Sequence, residues 1–301
     1  MSPLPLPPVA APYQLPFHYG ALHNIGLDYL VGPDPVREVL AKHHPALTAA
    51  DFDGQCLVSL NYQLYFAQYQ FGGGITQEIE VNIVAYPTAA VRRIPQVSYQ
   101  QYAQGHDQTK LLGIARIHVL CDNALAIDAG RTLYAEPKYP GWFDTEMPSL
   151  NGPAGDTWSI RCHAAEATAD GGIARLETEL FSFDAHLSRL TSVPGNNTPI
   201  TGYGTDSTGA ALAGPMNVYQ PYRWYDLSGP ASACSQLTVH DPAGDVGQDL
   251  LRLVRDTPAA GAWTFQSPPR RRTQPPLLPR MTGPSALDAD GRLPDLAAGW
   301  V

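Results

Sequence analysis

The chain has 301 residues, of which 44% are hydrophobic and 16% are charged, and its formal net charge is −9. This composition is typical of a globular protein, and the 29 prolines and 27 glycines indicate many loops and a preference for β-structure. The negative charge argues against duplex nucleic acid and anionic membranes as partners, because both are bound largely through basic patches.

The cysteines and the N-terminus indicate the compartment. Four cysteines lie far apart without a CxxC pair, at Cys56, Cys121, Cys162 and Cys234, so reduced and mostly buried thiols are expected. Residues 1–15 contain prolines where a signal peptide needs an unbroken apolar run, and no apolar stretch approaches the length of a membrane span. We therefore expect a soluble, cytoplasmic protein.

The first predicted elements are a strand and a helix behind it. Residues 27–31 (LDYLV) predict the strand. Asp34 is a typical N-cap residue and Pro35 suits the first helical position, so a helix is predicted to begin there and to continue through Val39 and Leu40.

Two long strands are predicted next, over Cys56–Tyr69 and residues 75–86, with a glycine turn at residues 72–74 between them. Alternation along the second strand places Glu78, Glu80 and Asn82 on one face, opposite an apolar face of isoleucine and valine. Such a polar face borders either solvent or a catalytic cavity.

A third strand is predicted over residues 111–121, and it leads into a helix over residues 124–133. Either Asp122 or Asn123 can cap that helix. Residues 157–169 and 172–183 predict a hairpin, because a DGG turn separates two segments of strand-forming residues.

The last third of the chain is expected to be less regular. Residues 191–220 are rich in glycine, threonine, asparagine and proline, which is typical of a disordered loop or of a lid. A short strand is predicted over residues 232–240 and a helix over residues 246–254. The sum predicts an α+β protein with a mostly antiparallel sheet.

Three segments are expected along the chain. Residues 1–17 form a proline-rich N-terminal arm, residues 18–266 the folded domain, and residues 267–301 a proline-rich, low-complexity tail.

Lys138 is one of only three lysines, beside 16 arginines, and lies between Pro137 and Tyr139. Arginine is a permanent cation, whereas a lysine amine can lose its proton and become a nucleophile. A solvated lysine after a turn is the ordinary alternative.

Four segments resemble the acetoacetate decarboxylase-like superfamily. DNALAIDAGRTLYAEPK (122–138) resembles the signature around its reactive lysine, and ITQEIEVNIVAY (75–86) resembles the strand with its catalytic glutamate. DYLVGPDPVREVL (28–40) resembles its first strand and helix, and SGPASACSQLTVHDPAGDVGQDL (228–250) resembles its closing strand and acidic turn. The resemblance thus covers residues 28–250.

The resemblance implies a β-barrel-like α+β fold, a homo-oligomer and an enzyme that works through a lysine imine. By position, Lys138 corresponds to the Schiff-base lysine and Glu78 to the acid/base carboxylate. No organic cofactor and no metal are implied.

Two positions depart from the family pattern. Tyr139 stands where the decarboxylases have a second lysine, but burial in an apolar pocket can by itself lower the pKa of a lysine until the amine is neutral near pH 7. Pro137, Tyr139, Pro140 and Trp142 are the expected walls of that pocket. Gly32 stands where the family has a carboxylate-binding arginine, a task that Arg131 or Arg116 could take over.

Other residues are candidates for substrate binding or for tuning the lysine. Glu136 lies two residues before Lys138 on an extended segment and should face the same side. The remaining candidates each have an ordinary structural alternative. Arg131 fits a cation at a helix C-terminus, and Glu80 fits a solvated carboxylate. Tyr134 fits a ring packed in the core, and His240 fits a hydrogen-bonded structural histidine.

We expect a Schiff-base lyase acting on a small keto-acid, with aldolase or dehydratase chemistry favoured over decarboxylation because the family arginine is absent. Frequent arginine, alanine, proline and glycine suggest a GC-rich bacterial genome and a role in specialised metabolism. A β-keto-acid decarboxylase, an imine-independent cyclase, dehydratase or hydrolase, and a non-catalytic ligand-binding protein are the alternatives. No dinucleotide, phosphate-loop, GxSxG or HExxH motif is present.

Overall fold

The computed structural model describes residues 11–14, 17–69, 72–150 and 155–267. Its four α-helices in these ranges are α1 Pro33–His43, α2 Tyr99–Ala103, α3 Ala124–Tyr134 and α4 Asp245–Leu253, and two short 3-10 helices span Thr88–Arg93 and Gly229–Cys234. The strands of the first half are β1 His18–Val31, β2 Leu47–Ala49, β3 Cys56–Tyr69, β4 Gly72–Pro87, β5 Gly113–Cys121 and β6 Lys138–Glu146. Those of the second half are β7 Thr157–Ala167, β8 Ile173–His186, β9 Ser192–Gly195, β10 Ile200–Thr205, β11 Ala211–Met216, β12 Tyr222–Asp226, β13 Ser235–Val239 and β14 Gly261–Gln266.

The strands form one 14-stranded sheet whose main path runs β13-β8-β7-β6-β5-β4-β3-β1-β14-β12-β9. Most neighbours are antiparallel, and β5 is the exception, since it pairs in parallel with β6 and with β10. The path does not close: within the described residues, β13 pairs only with β8 and β9 only with β12. The predicted α+β fold with a mostly antiparallel sheet is confirmed.

The central strands β1, β3, β4 and β5 have an apolar face and a polar face. On β4 the apolar face consists of Ile79, Val81 and Ile83, each fully buried. Helices α1 and α4 help to cover this face, since side chains such as Val36 and Leu250 belong to the same core cluster. The opposite face of β4 begins with Glu78 and Glu80, as the alternation predicts.

The start of α1 differs from the prediction. The helix begins at Pro33, one residue before Asp34, and Gly32 is the N-cap. Asp34 therefore lies in the first turn and forms an exposed ion pair with Arg37. Because two prolines compete for the first helical turn, the sequence leaves the exact start open.

The predicted glycine turn at residues 72–74 is wrong, because all three glycines belong to β4 and pair with Ala67 to Tyr69 of β3. A Cβ atom on Gly73 would lie 2.6 Å from the carbonyl oxygen of Ala67. Glycine is needed here for close strand approach rather than for a turn.

The prediction of a loop over residues 191–220 is also wrong in part, because the segment contains β9, β10 and β11. Strands β10 and β11 form a hairpin in which Ile200 pairs with Met216 and Thr205 pairs with Ala211. Strand β10 also pairs with β5. The strand propensities of glycine and proline are low, so the sequence does not indicate these strands. Both residues are tolerated here because neighbouring backbone supplies the hydrogen bonds.

Two further sequence expectations concern the cysteines and the termini. All four cysteines are unpaired, and Cys56, Cys121 and Cys162 are buried. The predicted tail lies outside the described residues except for Ser267, whose hydroxyl accepts a hydrogen bond from the Leu22 amide. None of the helices in the described ranges combines the length and apolar character needed to cross a membrane.

Candidate active site

Lys138 is the first residue of β6, directly after the turn that ends α3. The side chain of Asn123 caps the start of helix α3. Ala135 is the C-cap residue that follows the helix, and it adopts a left-handed conformation with φ of 51°. This turn returns the chain to β5, where Lys138 pairs in parallel with Val119. The side chain of Lys138 is only 5% exposed.

Five charged side chains form a compact cluster on the polar face, which we call the ion cluster: Lys138, Arg116, Glu78, Glu80 and Glu136. Lys138 Nζ lies 2.5 Å from Glu78 Oε2 and 3.6 Å from Glu136 Oε2. Arg116 Nε donates to Glu80 Oε1 at 2.7 Å, and its Nη1 lies 3.5 Å from Glu136 Oε1. Glu136 thus lies between the two cations. Its spacing from Lys138 predicts that both side chains face the same side.

Neutral side chains orient the two carboxylates of β4. Tyr65 donates to Glu78 Oε2 at 2.9 Å, and Gln63 donates to its other oxygen. Asn61 and Asn82 both donate to Glu80 Oε2, at 3.2 and 2.9 Å. The alternation of β3 and β4 produces this arrangement, because residues two apart point to the same face.

Burial and neighbouring charges act in opposite directions on the proton between Lys138 and Glu78. Burial alone would lower the pKa of Lys138, but the adjacent carboxylates of Glu78 and Glu136 outweigh it and hold that pKa well above its usual value. Burial raises the pKa of Glu78, although Lys138 partly opposes this effect. Both groups therefore bind a proton more tightly than their exposed counterparts.

These directions correct the expectation of an apolar pocket that keeps Lys138 neutral. Tyr139, an expected wall, points to the other side of β6, where its hydroxyl lies 3.0 Å from His118 Nδ1. His118 in turn contacts Asp249 of α4 at 2.9 Å. Successive residues of a strand face opposite ways, so position 139 cannot place a cation beside Lys138.

Gly32, which the resemblance places at the family's arginine position, is the exposed N-cap of α1 and has no part in the ion cluster. Of the two proposed replacements, Arg116 lies in the cluster. Arg131 Nε instead donates to the carbonyl oxygen of Lys138 at 2.5 Å and so supports the backbone of the turn.

The other candidates are divided between the site and the scaffold. Tyr134 is partly buried and lines a small cavity of about 20 Å³ beside Arg116. His240 lies elsewhere, with its Nε2 2.8 Å from the Ser182 hydroxyl and 3.1 Å from Glu179 Oε1, which agrees with a structural histidine.

The β10–β11 hairpin covers Arg116. Met216 Sδ lies 3.3 Å from Arg116 Nη2, and a Cβ atom on Gly202 would lie 3.1 Å from Arg116 Nη1. Arg116 therefore has two guanidinium nitrogens with only weak or distant partners under the hairpin, in addition to the strong bond of its Nε to Glu80.

Sequence reasoning missed the uncharged residues of the site. On β3, Asn61 pairs with Glu80 of β4, Gln63 pairs with Glu78, and Tyr65 pairs with Thr76. Their spacing of two residues was a usable signal once β3 and β4 were paired. Within the described residues, no group of three or more His, Cys, Asp or Glu side chains is placed to hold a metal ion.

Solved structures of similar fold were found by comparison. MppR, an enduracididine biosynthesis enzyme complexed with pyruvate, is 14% identical over 86% of this chain and 91% of that chain, with a TM-score of 0.55. MppR complexed with the condensation product of pyruvate and imidazole 4-carboxaldehyde is 14% identical over 84% and 85%, with a TM-score of 0.52. Acetoacetate decarboxylase from Legionella pneumophila is 10% identical over 87% and 88%, with a TM-score of 0.52.

The chain has the acetoacetate decarboxylase-like fold. No protein-family model matches the sequence, and no curated protein matches it. The enzymes that share this acetoacetate decarboxylase-like fold include one solved with pyruvate and one named for decarboxylation.

Proposed function

We propose that this protein is a Schiff-base-forming lyase that acts on a keto-acid through Lys138. The observation that carries the proposal is the 2.5 Å contact between Lys138 Nζ and Glu78 Oε2 in a buried site. A buried amine in direct contact with a carboxylate of raised pKa has a partner that can accept its proton before the amine attacks a carbonyl.

The reaction begins with transfer of a proton from the Lys138 ammonium to Glu78. The neutral amine then adds to the ketone carbon, and the resulting carbinolamine loses water as Glu78 returns the proton to the leaving hydroxyl. The product is a protonated imine, which withdraws electrons from the adjacent carbon. Glu78, now a carboxylate, removes a proton from that carbon and produces an enamine.

Arg116 is the proposed partner of the substrate carboxylate. Its guanidinium and the Lys138 amine flank the same carboxylate, Glu136, so they are spaced to hold two neighbouring groups of one small molecule. In an α-keto-acid the carboxylate is bonded directly to the carbonyl carbon, which suits this spacing. Two guanidinium nitrogens in a fork match a carboxylate well.

Aldolase or dehydratase chemistry is the favoured outcome, in which the enamine attacks an aldehyde or a hydroxyl leaves the neighbouring carbon. MppR, with the same fold, has been solved with the condensation product of pyruvate and an aldehyde. A role in specialised metabolism is part of this proposal. Decarboxylation of a β-keto-acid is the second candidate, supported by the fold shared with acetoacetate decarboxylase.

An imine-independent cyclase, dehydratase or hydrolase is a third candidate, because the carboxylates hold the pKa of Lys138 well above its usual value. In that reaction Glu78 and Glu136 act as acid and base, and the ammonium only stabilises negative charge. A protein that binds the ligand without turnover is the non-catalytic form of this candidate.

The test is exchange of the pyruvate methyl protons in deuterated water, followed by NMR. We expect the wild-type protein to catalyse exchange, Lys138→Arg to abolish it because a guanidinium does not form an imine, and Glu78→Gln to slow it by about 10² to 10⁴. Exchange that survives in Lys138→Arg supports the imine-independent reaction. Saturable pyruvate binding with no exchange supports the non-catalytic protein.

A further inference from the structure

A second cavity of about 90 Å³ lies along the polar face beyond Glu80. Asp28, Ser59, Asn61 and Asn82 contribute its polar lining. Since one water needs only about 10 to 15 Å³ of such space, the cavity has room for a group of several heavy atoms.

Two amide oxygens of this cavity, those of Asn61 and Asn82, lack hydrogen-bond donors among the described residues. Asn61 and Asn82 both direct their Nδ2 atoms to Glu80 Oε2, which fixes the orientation of both amides. Their Oδ1 atoms are buried and accept no hydrogen bond within the described part of the chain. Buried acceptors without donors are costly, so the cavity is built to receive a group that donates.

Asp28 adds a buried carboxylate to these acceptors. Its side chain accepts hydrogen bonds from Tyr99, at 3.0 Å, and from Ser59, and it forms no ion pair with any described residue. Burial raises the pKa of Asp28 to about 6, so most of the carboxyl is still ionised at pH 7.

Aromatic rings complete the lining of the cavity. Tyr102, Tyr222 and Trp263 contribute to its wall, and the rings of Tyr222 and Trp263 lie 5.6 Å apart at a tilt of 49°. Aromatic faces attract organic cations most strongly when both are removed from water. A carboxylate, two free amide oxygens and several aromatic rings together favour a cationic nitrogen group.

The charge balance of the whole polar face also favours a cationic group in this cavity. The ion cluster has three carboxylates and two cations, and Asp28 adds a further carboxyl. A negatively charged keto-acid would enlarge this excess, whereas a keto-acid that also bears a cation would reduce it. An uncompensated buried anion is unfavourable, so the substrate itself is the natural source of the missing positive charge.

The cavity and the ion cluster belong to one enclosed face. Asp28, Ser59 and Asn82 lie side by side on β1, β3 and β4, and Asn24, Gln63 and Glu78 form a parallel row four residues away. These two rows are about 13 Å apart along the strands. Ile200 of the hairpin that covers Arg116 also lines the cavity, and so do Asn197 before the hairpin and Gln220 after it.

We propose that this cavity binds an ammonium or guanidinium group at the far end of the substrate, whose keto end meets Lys138. The substrate class is then a keto-acid whose carbonyl is separated by a chain of several bonds from a cationic nitrogen. The assignment of the keto end rests on the proposed function above, whereas the assignment of the cation rests on the cavity alone.

The first experiment compares two 2-oxo-acids of equal length, 7-guanidino-2-oxoheptanoate and its neutral isostere 7-ureido-2-oxoheptanoate. The concentration that gives half-maximal borohydride trapping at Lys138 is measured for each. In the wild-type protein, we expect the half-maximal concentration of the guanidino compound to be at least tenfold lower than that of the ureido compound. In Asp28→Asn, we expect the two half-maximal concentrations to agree within about twofold. Pyruvate, which has no group at its far end, is trapped with each protein in parallel, so that the two half-maximal concentrations are compared relative to it.

The matched control is Asp34→Asn, which removes the same charge from a side chain that is 90% exposed, and it should keep the tenfold preference. The comparison of the two compounds on the wild-type protein stands even if Asp28→Asn folds poorly. Equal half-maximal concentrations for the two compounds in the wild-type protein would overturn the proposal while leaving the lysine chemistry intact.

A second experiment does not depend on imine formation. Calorimetric titration with hexylguanidinium and with hexylurea should show binding of the cation only, and binding should be lost in Asp28→Asn. If no keto-acid is trapped but this pattern holds, the proposed function fails and the cation site stands. If the wild-type protein binds neither compound, or binds both equally, the cation site is refuted.

Discussion

Lys138 and Glu78 are buried in direct contact and the pKa of each is raised, which distinguishes the site from a simple desolvated amine. Burial would favour the neutral amine, but two carboxylates next to it restore the charge. Charge loss from Lys138 therefore depends on transfer to Glu78 within the pair rather than on release to water.

Asp28 should cost the free protein stability, since its carboxyl is buried without a cation. Its pKa is raised from 3.8 to about 6 by burial, so the penalty is absent below about pH 4, grows between pH 4 and 6, and is complete above. At 1.36 kcal/mol per pKa unit this amounts to about 3 kcal/mol at pH 7. We expect Asp28→Asn to be more stable than the wild-type protein at pH 7, by up to this amount.

Urea unfolding at several pH values between 4.5 and 8 tests this prediction. The stability difference should shrink as the pH falls from 6 toward 4.5, because the buried carboxyl of the folded wild-type protein then becomes protonated while that of the unfolded chain stays mostly ionised. A variant that is less stable than the wild type by the same amount at every pH would show that Asp28 is a structural residue.

The sequence predicted part of the site at this scale. Alternation along β4 placed Glu78, Glu80 and Asn82 on one face, and the spacing placed Glu136 on the side of Lys138. The ion pairs of Arg116 with Glu80 and Glu136 were not predictable, because they depend on how far these side chains reach across strands. The environment of Asp28 was not predictable either, because its hydrogen-bond donors, Tyr99 and Ser59, are distant in sequence.

At the scale of elements, the junction of α3 and β6 brings the reactive groups together. Gly130 in the last turns of α3 lies against them: a Cβ atom there would be 2.4 Å from Glu136 Oε2 and 2.7 Å from Lys138 Cδ. Helix propensity favours alanine over glycine by about 1 kcal/mol, so glycine is unfavourable for the helix and is required by the packing of the site.

Gly130→Ala should therefore separate activity from folding. We expect the helix content and the unfolding temperature to be preserved, while the rate of borohydride trapping with pyruvate falls at least tenfold because Lys138 and Glu136 are displaced. Circular dichroism and timed trapping measure the two quantities. The control is Thr132→Ala on the exposed side of the same helix, and a wild-type trapping rate in Gly130→Ala would contradict this account of the junction.

The long strands and the amphipathic helices were predictable, because their apolar periods are clear over ten or more residues. The β10–β11 hairpin was not, since its GYG and AGP segments resemble a loop and its pairing with β5 is formed by residues far away in sequence. Strand β6 was also missed, because PKYPGW reads as a turn until parallel pairing with β5 supplies its hydrogen bonds.

At the scale of the whole molecule, the sheet places Glu78, Glu80 and Asp28 on one polar face, with Lys138 in contact with Glu78. The four resembling segments within residues 28–250 together predicted the acetoacetate decarboxylase-like fold, although identity to the solved structures named above is only 10–14%. Side chains in direct contact, such as Lys138 and Glu78, need a fixed geometry, whereas the surrounding core tolerates substitution. The division into residues 1–17, 18–266 and 267–301 and the homo-oligomer stay predictions.

The most direct measurement is borohydride reduction of the protein in the presence of pyruvate, followed by peptide mapping. We expect one covalent adduct, with the mass of reduced pyruvate imine, on Lys138, and none on Lys42 or Lys110. An adduct on either of those lysines instead, or the lack of any adduct with pyruvate and acetoacetate in a folded protein, would contradict it.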